Sequence, residues 1–77
     1  MFSEREKKII KTLGRRKMTL EKITIGVFKN DWIPFDATIS IGNSVRRIIK
    51  KCSHHNLKWT LTKTRLDGKL TIKRTTL

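Results

Sequence analysis

Residues 40–51 read Ser-Ile-Gly-Asn-Ser-Val-Arg-Arg-Ile-Ile-Lys-Lys, and this stretch decides the fold. With about 100° of rotation per residue, the apolar side chains from Ile41 to Cys52 fall within one sector of a helix that is about 100° wide. The pattern predicts an amphipathic helix over about residues 38–55. The opposite sector is polar and basic, and it holds Ser40, Asn43, Arg47 and Lys50, flanked by Arg46 and Lys51.

Downstream of this helix, residues 57–77 change from helical to alternating periodicity. Two threonine-rich runs flank Asp67-Gly68, a dipeptide preferred in two-residue type I′ hairpin turns. We therefore predict a β-hairpin over about residues 57–77 whose basic tip, around Lys63 to Lys69, projects into solvent. Pairing around this turn places four apolar side chains on one face, and a slip of one residue would separate them: Trp59, Leu61, Leu70 and Ile72.

Upstream, the sequence predicts two further helices. Ser3 and Glu6 have the spacing of a capping box, and Gly14 suits a helix end, so a first helix is predicted over about residues 4–13. Residues 15–17 are interpreted as a basic connector. A second helix is predicted over about residues 19–30 with Thr19 as its N-cap.

The segment from 19 to 29 also has a strand interpretation, because β-branched residues alternate within it. We favour the helix because a breaker cluster, residues 30–34, and a further helix follow. The start of that further helix stays open, since three residues can each cap it: Asp36, Thr38 and Ser40.

Length and charge narrow the class of protein. Seventy-seven residues are enough for one small domain, residues 1–77. The chain carries 19 Lys and Arg against six Asp and Glu, a formal net charge of +13. Residues 37–77 hold ten of these cations and one acid, Asp67. This concentration of one sign predicts a surface that binds a polyanion.

The order of two helices, a turn, a cationic helix and a hairpin with a basic tip resembles the winged helix-turn-helix DNA-binding domains. The resemblance covers nearly the whole chain and is sharpest in residues 40–51. It implies an α+β fold of three helices followed by a C-terminal β-hairpin wing. It also implies sequence-specific binding of double-stranded DNA by a transcriptional regulator or replicon control protein, similar to small regulators of archaeal viruses and plasmids.

In that family the third helix enters the major groove and the wing touches the backbone or minor groove. The resemblance implies DNA contacts from Ser40, Asn43, Arg46, Arg47 and Lys50 of the third helix, and from Lys63, Arg65, Lys69 and Lys73 of the wing. Independently, Asn suits an adenine edge and Arg a guanine edge. Lysines, including Lys51, suit phosphates. The stretch from Phe28 to Ser40 is long for the family's turn, so either the second helix is longer or the third begins nearer Asp36.

Other chemistry finds little support in the sequence. The acids lack catalytic spacing, and there is no nucleophile motif or phosphate-binding loop, so we expect no enzyme, no cofactor and no small-molecule ligand. Cys52, His54 and His55 are too few for a structural zinc site, and Cys52 is expected in the core. No apolar run is long enough to span a bilayer and no signal peptide is evident, so we expect a cytoplasmic protein.

Several alternatives stay open. Trp32 and Trp59 are expected in the core, although either side chain can stack on bases. Phe2, Ile9 and Ile10 supply either the core or the surface of a homodimer. If they do not contact DNA, the cations of the third helix form a solvated face. The cations of the wing can also protect an edge strand from aggregation. The rival functions are a basic RNA-binding or ribosome-associated protein, with residues 19–28 as a strand, and a module that inhibits a partner protein.

Overall fold

The computed structural model describes residues 1–29 and 32–77, and within them it has three helices and one three-stranded antiparallel sheet. The predicted α+β class is confirmed, with a C-terminal hairpin after the third helix. The predicted end of the second helix at Asn30 and the breaker pair Asn30-Asp31 lie outside the described residues. In chain order the elements are α1 (Glu4–Leu13), β1 (Lys17–Thr19), α2 (Leu20–Phe28), α3 (Ala37–His54), β2 (Trp59–Leu66) and β3 (Lys69–Thr76).

Helix α1 begins at the predicted capping box. The Glu6 backbone N–H donates to Ser3 Oγ at 3.2 Å, and the Ser3 backbone N–H donates to Glu6 Oε1 at 2.8 Å. The helix ends at Gly14, whose φ of 56° lies in the region that glycine adopts without steric cost. Local sequence therefore determines both ends of α1.

Helix α2 shows that the strand interpretation of this segment is wrong. Thr19 Oγ1 accepts a hydrogen bond from the Lys22 backbone N–H at 3.3 Å, as expected for an N-cap. The helix buries Ile23 and leaves Ile25 59% exposed, whereas a strand would place both on one face. Gly26 allows α1 to approach closely, since a Cβ at this position would lie 2.5 Å from Thr12 Cγ2.

Strand β1 is an element that the sequence analysis missed. We expected residues 15–17 to be a connector, but Lys17 begins a strand that pairs antiparallel with β3, with Met18 opposite Ile72. The sheet order is β1-β3-β2. Three residues are too few to show alternation, and this strand exists because β3 offers it an edge more than fifty residues further along the chain.

The β2–β3 hairpin has the predicted register. Leu66 lies opposite Lys69 and Lys63 opposite Ile72, with Asp67 and Gly68 in the turn. Both turn residues have positive φ, 51° and 77°, as a type I′ turn requires. Leu61 and Ile72 are buried, while residues 62–69 are exposed. The outer half of the hairpin therefore extends past the core, as predicted.

The core forms where the apolar sector of α3 meets α1, α2 and the sheet. Cys52 lies in it as expected, and burial raises the pKa of its thiol. Phe2 and Ile10 pack against the same core, so the apolar side of α1 is occupied within the chain. The buried members are Ile9, Leu13, Ile23, Ile41, Val45, Ile48, Cys52, Leu61 and Ile72.

Helix α3 begins at Ala37, so the long link after α2 is accommodated by an early start of the third helix. The Ala37 backbone N–H donates to the Pro34 carbonyl at 3.1 Å, and the Ser40 N–H donates to the Asp36 carbonyl at 3.0 Å. The observed start therefore lies within one residue of the predicted start at about residue 38. At the other end, Asn56 adopts a φ of 53° just after the helix.

Candidate nucleic-acid interface

A groove separates the N-terminal half of α3 from the hairpin. Its floor is apolar and includes Leu20, Val45 and Leu70. One rim comes from α3 and the other from β2, where Lys63 lies opposite Ile72 and therefore on the core-facing side of the sheet. The hairpin continues past Leu61 and Thr71, the buried residues of its two strands that lie nearest the turn, and this exposed part forms one side of the groove. The rim residues are Thr38, Ile39, Asn43, Arg46 and Lys63.

The exposed face of α3 continues from this groove. Asn43, Arg46, Arg47 and Lys50 are all exposed and follow one another at helical spacing, so they form one surface. In the part of the chain that the structure describes, the only ion pairs are Lys7–Glu4 and Lys51–Glu6. Arg46, Arg47 and Lys50 therefore present their charge to solvent without an acidic partner among those residues.

Two predicted contact residues of α3 face α1 instead. Arg5 Nη1 donates to Ser40 Oγ at 2.8 Å, and Lys51 Nζ donates to Glu6 Oε1 at 2.7 Å. Ser40 and Lys51 lie on the side of the exposed sector nearest α1, so their polar groups are used within the fold. The proposal below does not depend on these two predicted contacts.

The Lys51–Glu6 pair is partly buried, because the Glu6 side chain is only 3% exposed. Burial opposes the ionised form of Glu6, but hydrogen bonds from Lys51 and Ser3, together with the Lys51 charge, outweigh it. The pKa of the Glu6 carboxyl is therefore lower than its usual value. At neutral pH, Glu6 is an anion that offsets the charge of Lys51.

The four predicted wing residues lie on different faces of the hairpin. Lys63 and Arg65 share the core-facing side with Ile72 and Leu70, their cross-strand partners. Lys69 and Lys73 share the other side of the sheet; Lys69 lies opposite Leu66 at the tip, whereas Lys73 lies opposite both Thr62 and Lys17, away from the tip, and the proposal below does not use it. Lys69 is exposed beside the turn, where Arg65 Nη1 donates to the Gly68 carbonyl at 3.4 Å. The tip thus retains Lys63, Arg65 and Lys69.

The two tryptophans differ in burial. Trp59 packs against the core between the Phe2 ring, 5.9 Å away, and the Arg74 guanidinium, 4.2 Å from the indole centre. Trp32 is 80% exposed, so the expectation of core packing was wrong for this residue. Trp59 begins a strand beside the core, whereas Trp32 lies in the link before α3 and does not pack against the core.

The sequence analysis also missed Ile39, which lines the groove and is 69% exposed. Ile39 lies one turn before Asn43 and occupies the same sector of the helical wheel. The predicted helix over about residues 38–55 contains Ile39, and its spacing of four residues from Asn43 is the signal that places it on this face.

Comparisons with protein-family models, with characterised proteins and with solved structures find no match to this chain. None of the helices in residues 1–29 and 32–77 combines the length and apolar character needed to cross a bilayer. Across the same residues, no three metal-ligating side chains come together. The groove and the cationic surfaces beside it are therefore the features from which a function can be proposed.

Proposed function

We propose that this chain is a winged-helix protein that binds double-stranded DNA through α3 and the hairpin, as a transcriptional regulator or replicon control protein. The observation that carries the proposal is the α3 face with Asn43, Arg46, Arg47 and Lys50, whose cations have no acidic partner among the described residues. The face borders a groove whose opposite rim is also basic, through Lys63.

Helix α3 has dimensions that suit the major groove. Its 18 residues span about 27 Å, and a groove about 12 Å wide accepts a helix with its side chains. Asn43 can form two hydrogen bonds with an adenine edge, and Arg46 or Arg47 can do the same at guanine. Lys50, near the end of the same face, is suited to a phosphate.

The tip of the hairpin supplies the second contact. Residues 62–69 are exposed and extend past the core, so they can reach the DNA backbone beside the groove that α3 enters. Lys63, Arg65 and Lys69 provide three cations there. With these three cations and Lys50 as about four phosphate contacts, the logarithm of the binding constant should fall with the logarithm of salt concentration with a slope of about −3.6.

The structure contradicts one assumption of the RNA-binding alternative. The RNA-binding alternative assumed that residues 19–28 form a strand, and these residues are an N-cap followed by helix α2. The inhibitor alternative differs in its prediction, because it expects no binding to duplex DNA at physiological salt.

The test begins with selection of bound sequences from a random duplex pool. We expect Arg47→Ala to weaken binding to the selected duplex by about 1–3 kcal/mol and to weaken binding to random duplex much less. Lys69→Ala should weaken both duplexes alike and reduce the salt slope by about 1. Lys7→Ala, which removes one charge from α1, is the control for net charge.

Two results would count against the proposal. If Arg47→Ala and Lys69→Ala had the same effect on binding to the selected duplex relative to random duplex, base reading by α3 would be excluded. Absence of binding to any duplex at physiological salt would exclude DNA as the partner and favour the inhibitor alternative.

A further inference from the structure

The segment at the start of α3 exposes four large apolar side chains. Trp32 is 80% exposed, Ile33 41%, Phe35 105% and Ile39 69%. They fall within eight consecutive residues, 32–39, which we call the apolar segment. Exposed apolar groups in such a concentration mark a binding surface more often than scattered ones do.

The apolar segment continues the proposed DNA-binding face. Ile39 lines the groove together with Asn43, Arg46 and Lys63. Phe35 precedes Ile39 by four residues, at the point where the chain enters the helix. The hydrogen bond from the Ala37 N–H to the Pro34 carbonyl, at 3.1 Å, ties the segment to the start of α3. The face is therefore apolar at its N-terminal end and cationic after it.

The surrounding charge decides between possible occupants. A second copy seated here would bring together two chains of net charge +13, with Arg46 and Lys63 beside the contact. Such like charges oppose association, whereas a polyanion is attracted. In the major groove the base edges are polar except for the 5-methyl group of thymine, which apolar side chains contact. The occupant that satisfies both the charge and the apolar surface is thymine within duplex DNA.

We infer that Ile39 and Phe35 contact thymine methyl groups, so that the bound sequence contains thymine next to the bases that Asn43 and Arg46 read. This inference rests on the proposed function and adds to it a preference for one base. Ile39 meets the methyl group nearest Asn43, and Phe35 meets one further towards the end of the site.

The test removes only the methyl group. In a duplex selected by the wild-type chain, each thymine is replaced in turn by uracil, which keeps the Watson–Crick pair and the major-groove O4. We expect a loss of about fourfold in affinity at one or two positions, the value for burying one methyl-sized group. Ile39→Ala and Phe35→Ala should bind the thymine duplex more weakly and become insensitive to uracil at their own positions.

Ile25→Ala is the matched control. Ile25 is also an exposed isoleucine, at 59%, but it lies on α2. This variant should keep both the affinity and the uracil sensitivity of the wild-type chain. Because Ile39, Phe35 and Ile25 are all exposed, we expect the three variants to retain the wild-type urea midpoint, which verifies that they fold.

The outcomes separate the two proposals. Duplex binding without uracil sensitivity, or with sensitivity that persists in both the Ile39 and the Phe35 variant, would overturn the inference and leave the proposed function intact. Failure to bind any duplex would overturn both. Self-association of the free chain in sedimentation experiments, lost in Ile39→Ala and retained in Ile25→Ala, would assign the apolar segment to a second copy and overturn the inference.

Discussion

The two flanks of α3 carry similar side chains in opposite surroundings. On the flank towards α1, Ser40 accepts from Arg5 and Lys51 binds the buried Glu6 carboxylate. The exposed flank towards the hairpin carries cations that have no acidic partner within residues 1–29 and 32–77. A cation on an amphipathic helix therefore stabilises the fold where the neighbouring element supplies a carboxylate, and it remains available to a ligand where that element supplies none. Lys50 and Lys51 are adjacent in sequence and represent the two cases.

The largest effect should come from breaking the pair on the α1 flank. Lys51→Ala leaves the Glu6 carboxylate buried without its cation, and we expect a loss of about 2–3 kcal/mol in the free energy of unfolding. This is less than the range for fully buried pairs, because Lys51 is partly exposed. Lys50→Ala should stay within about 0.5 kcal/mol of wild type. Urea denaturation at neutral pH measures both values.

Equal losses in these two variants would remove the distinction between the flanks. The same would follow if Lys50→Ala were the more destabilising of the two.

A smaller effect is expected from Glu6→Gln, because the amide oxygen can still accept from Lys51 and Ser3. Replacing charge-assisted hydrogen bonds by neutral ones should cost about 1–1.5 kcal/mol at neutral pH. The pKa of Glu6 is lowered in the folded state, so its stabilisation is complete above the unfolded pKa of about 4.3 and is lost as the pH falls through the folded value.

The difference in stability between wild type and Glu6→Gln should therefore shrink on acidification below about pH 4.3. Urea titrations from pH 7 to pH 2.5 measure it. A difference that stays constant over this range would show that ionisation of Glu6 does not stabilise the fold.

Gly42→Ala tests how open the groove flank is. A Cβ at Gly42 would lie 3.6 Å from Leu20 Cδ2, an ordinary van der Waals contact. The gain in helix propensity should raise the stability by about 0.5–1 kcal/mol. Gly26→Ala is the contrasting variant and should destabilise the protein, because its Cβ would meet Thr12 Cγ2 at 2.5 Å. Thermal denaturation measures both variants. If both had a lower midpoint than the wild type, the groove flank would be as tightly packed as the α1–α2 contact.

The smallest effects on stability are expected on the hairpin, where Lys63 and Lys73 lie on opposite faces. Alanine at either position should change the stability by less than about 0.5 kcal/mol. The two variants should differ in DNA binding: Lys63→Ala should reduce the salt slope by about 1, and Lys73→Ala should leave it near the wild-type value. A larger reduction for Lys73→Ala would place the DNA on the outer face of the sheet.

Features determined by neighbouring residues were predictable. The capping box at Ser3, the Thr19 N-cap and the turn at Asp67-Gly68 all involve groups within three residues of one another. The apolar sector of α3 follows from helical periodicity, and it places Asn43 and Arg47 on the exposed face. These parts of the fold and of the candidate site depend on short-range hydrogen bonds and on the regular rotation of side chains around a helix.

The sequence by itself thus determined three helices, the hairpin register and a strongly basic C-terminal half. Tertiary structure alone decided that the Lys51 ammonium is used within the fold, since Lys51 meets Glu6 across 45 residues of chain. It also decided the existence of β1 and the exposure of Trp32. The physical reason is that charge and burial depend on distances between elements remote in sequence, and the pattern within one element contains no information about those distances.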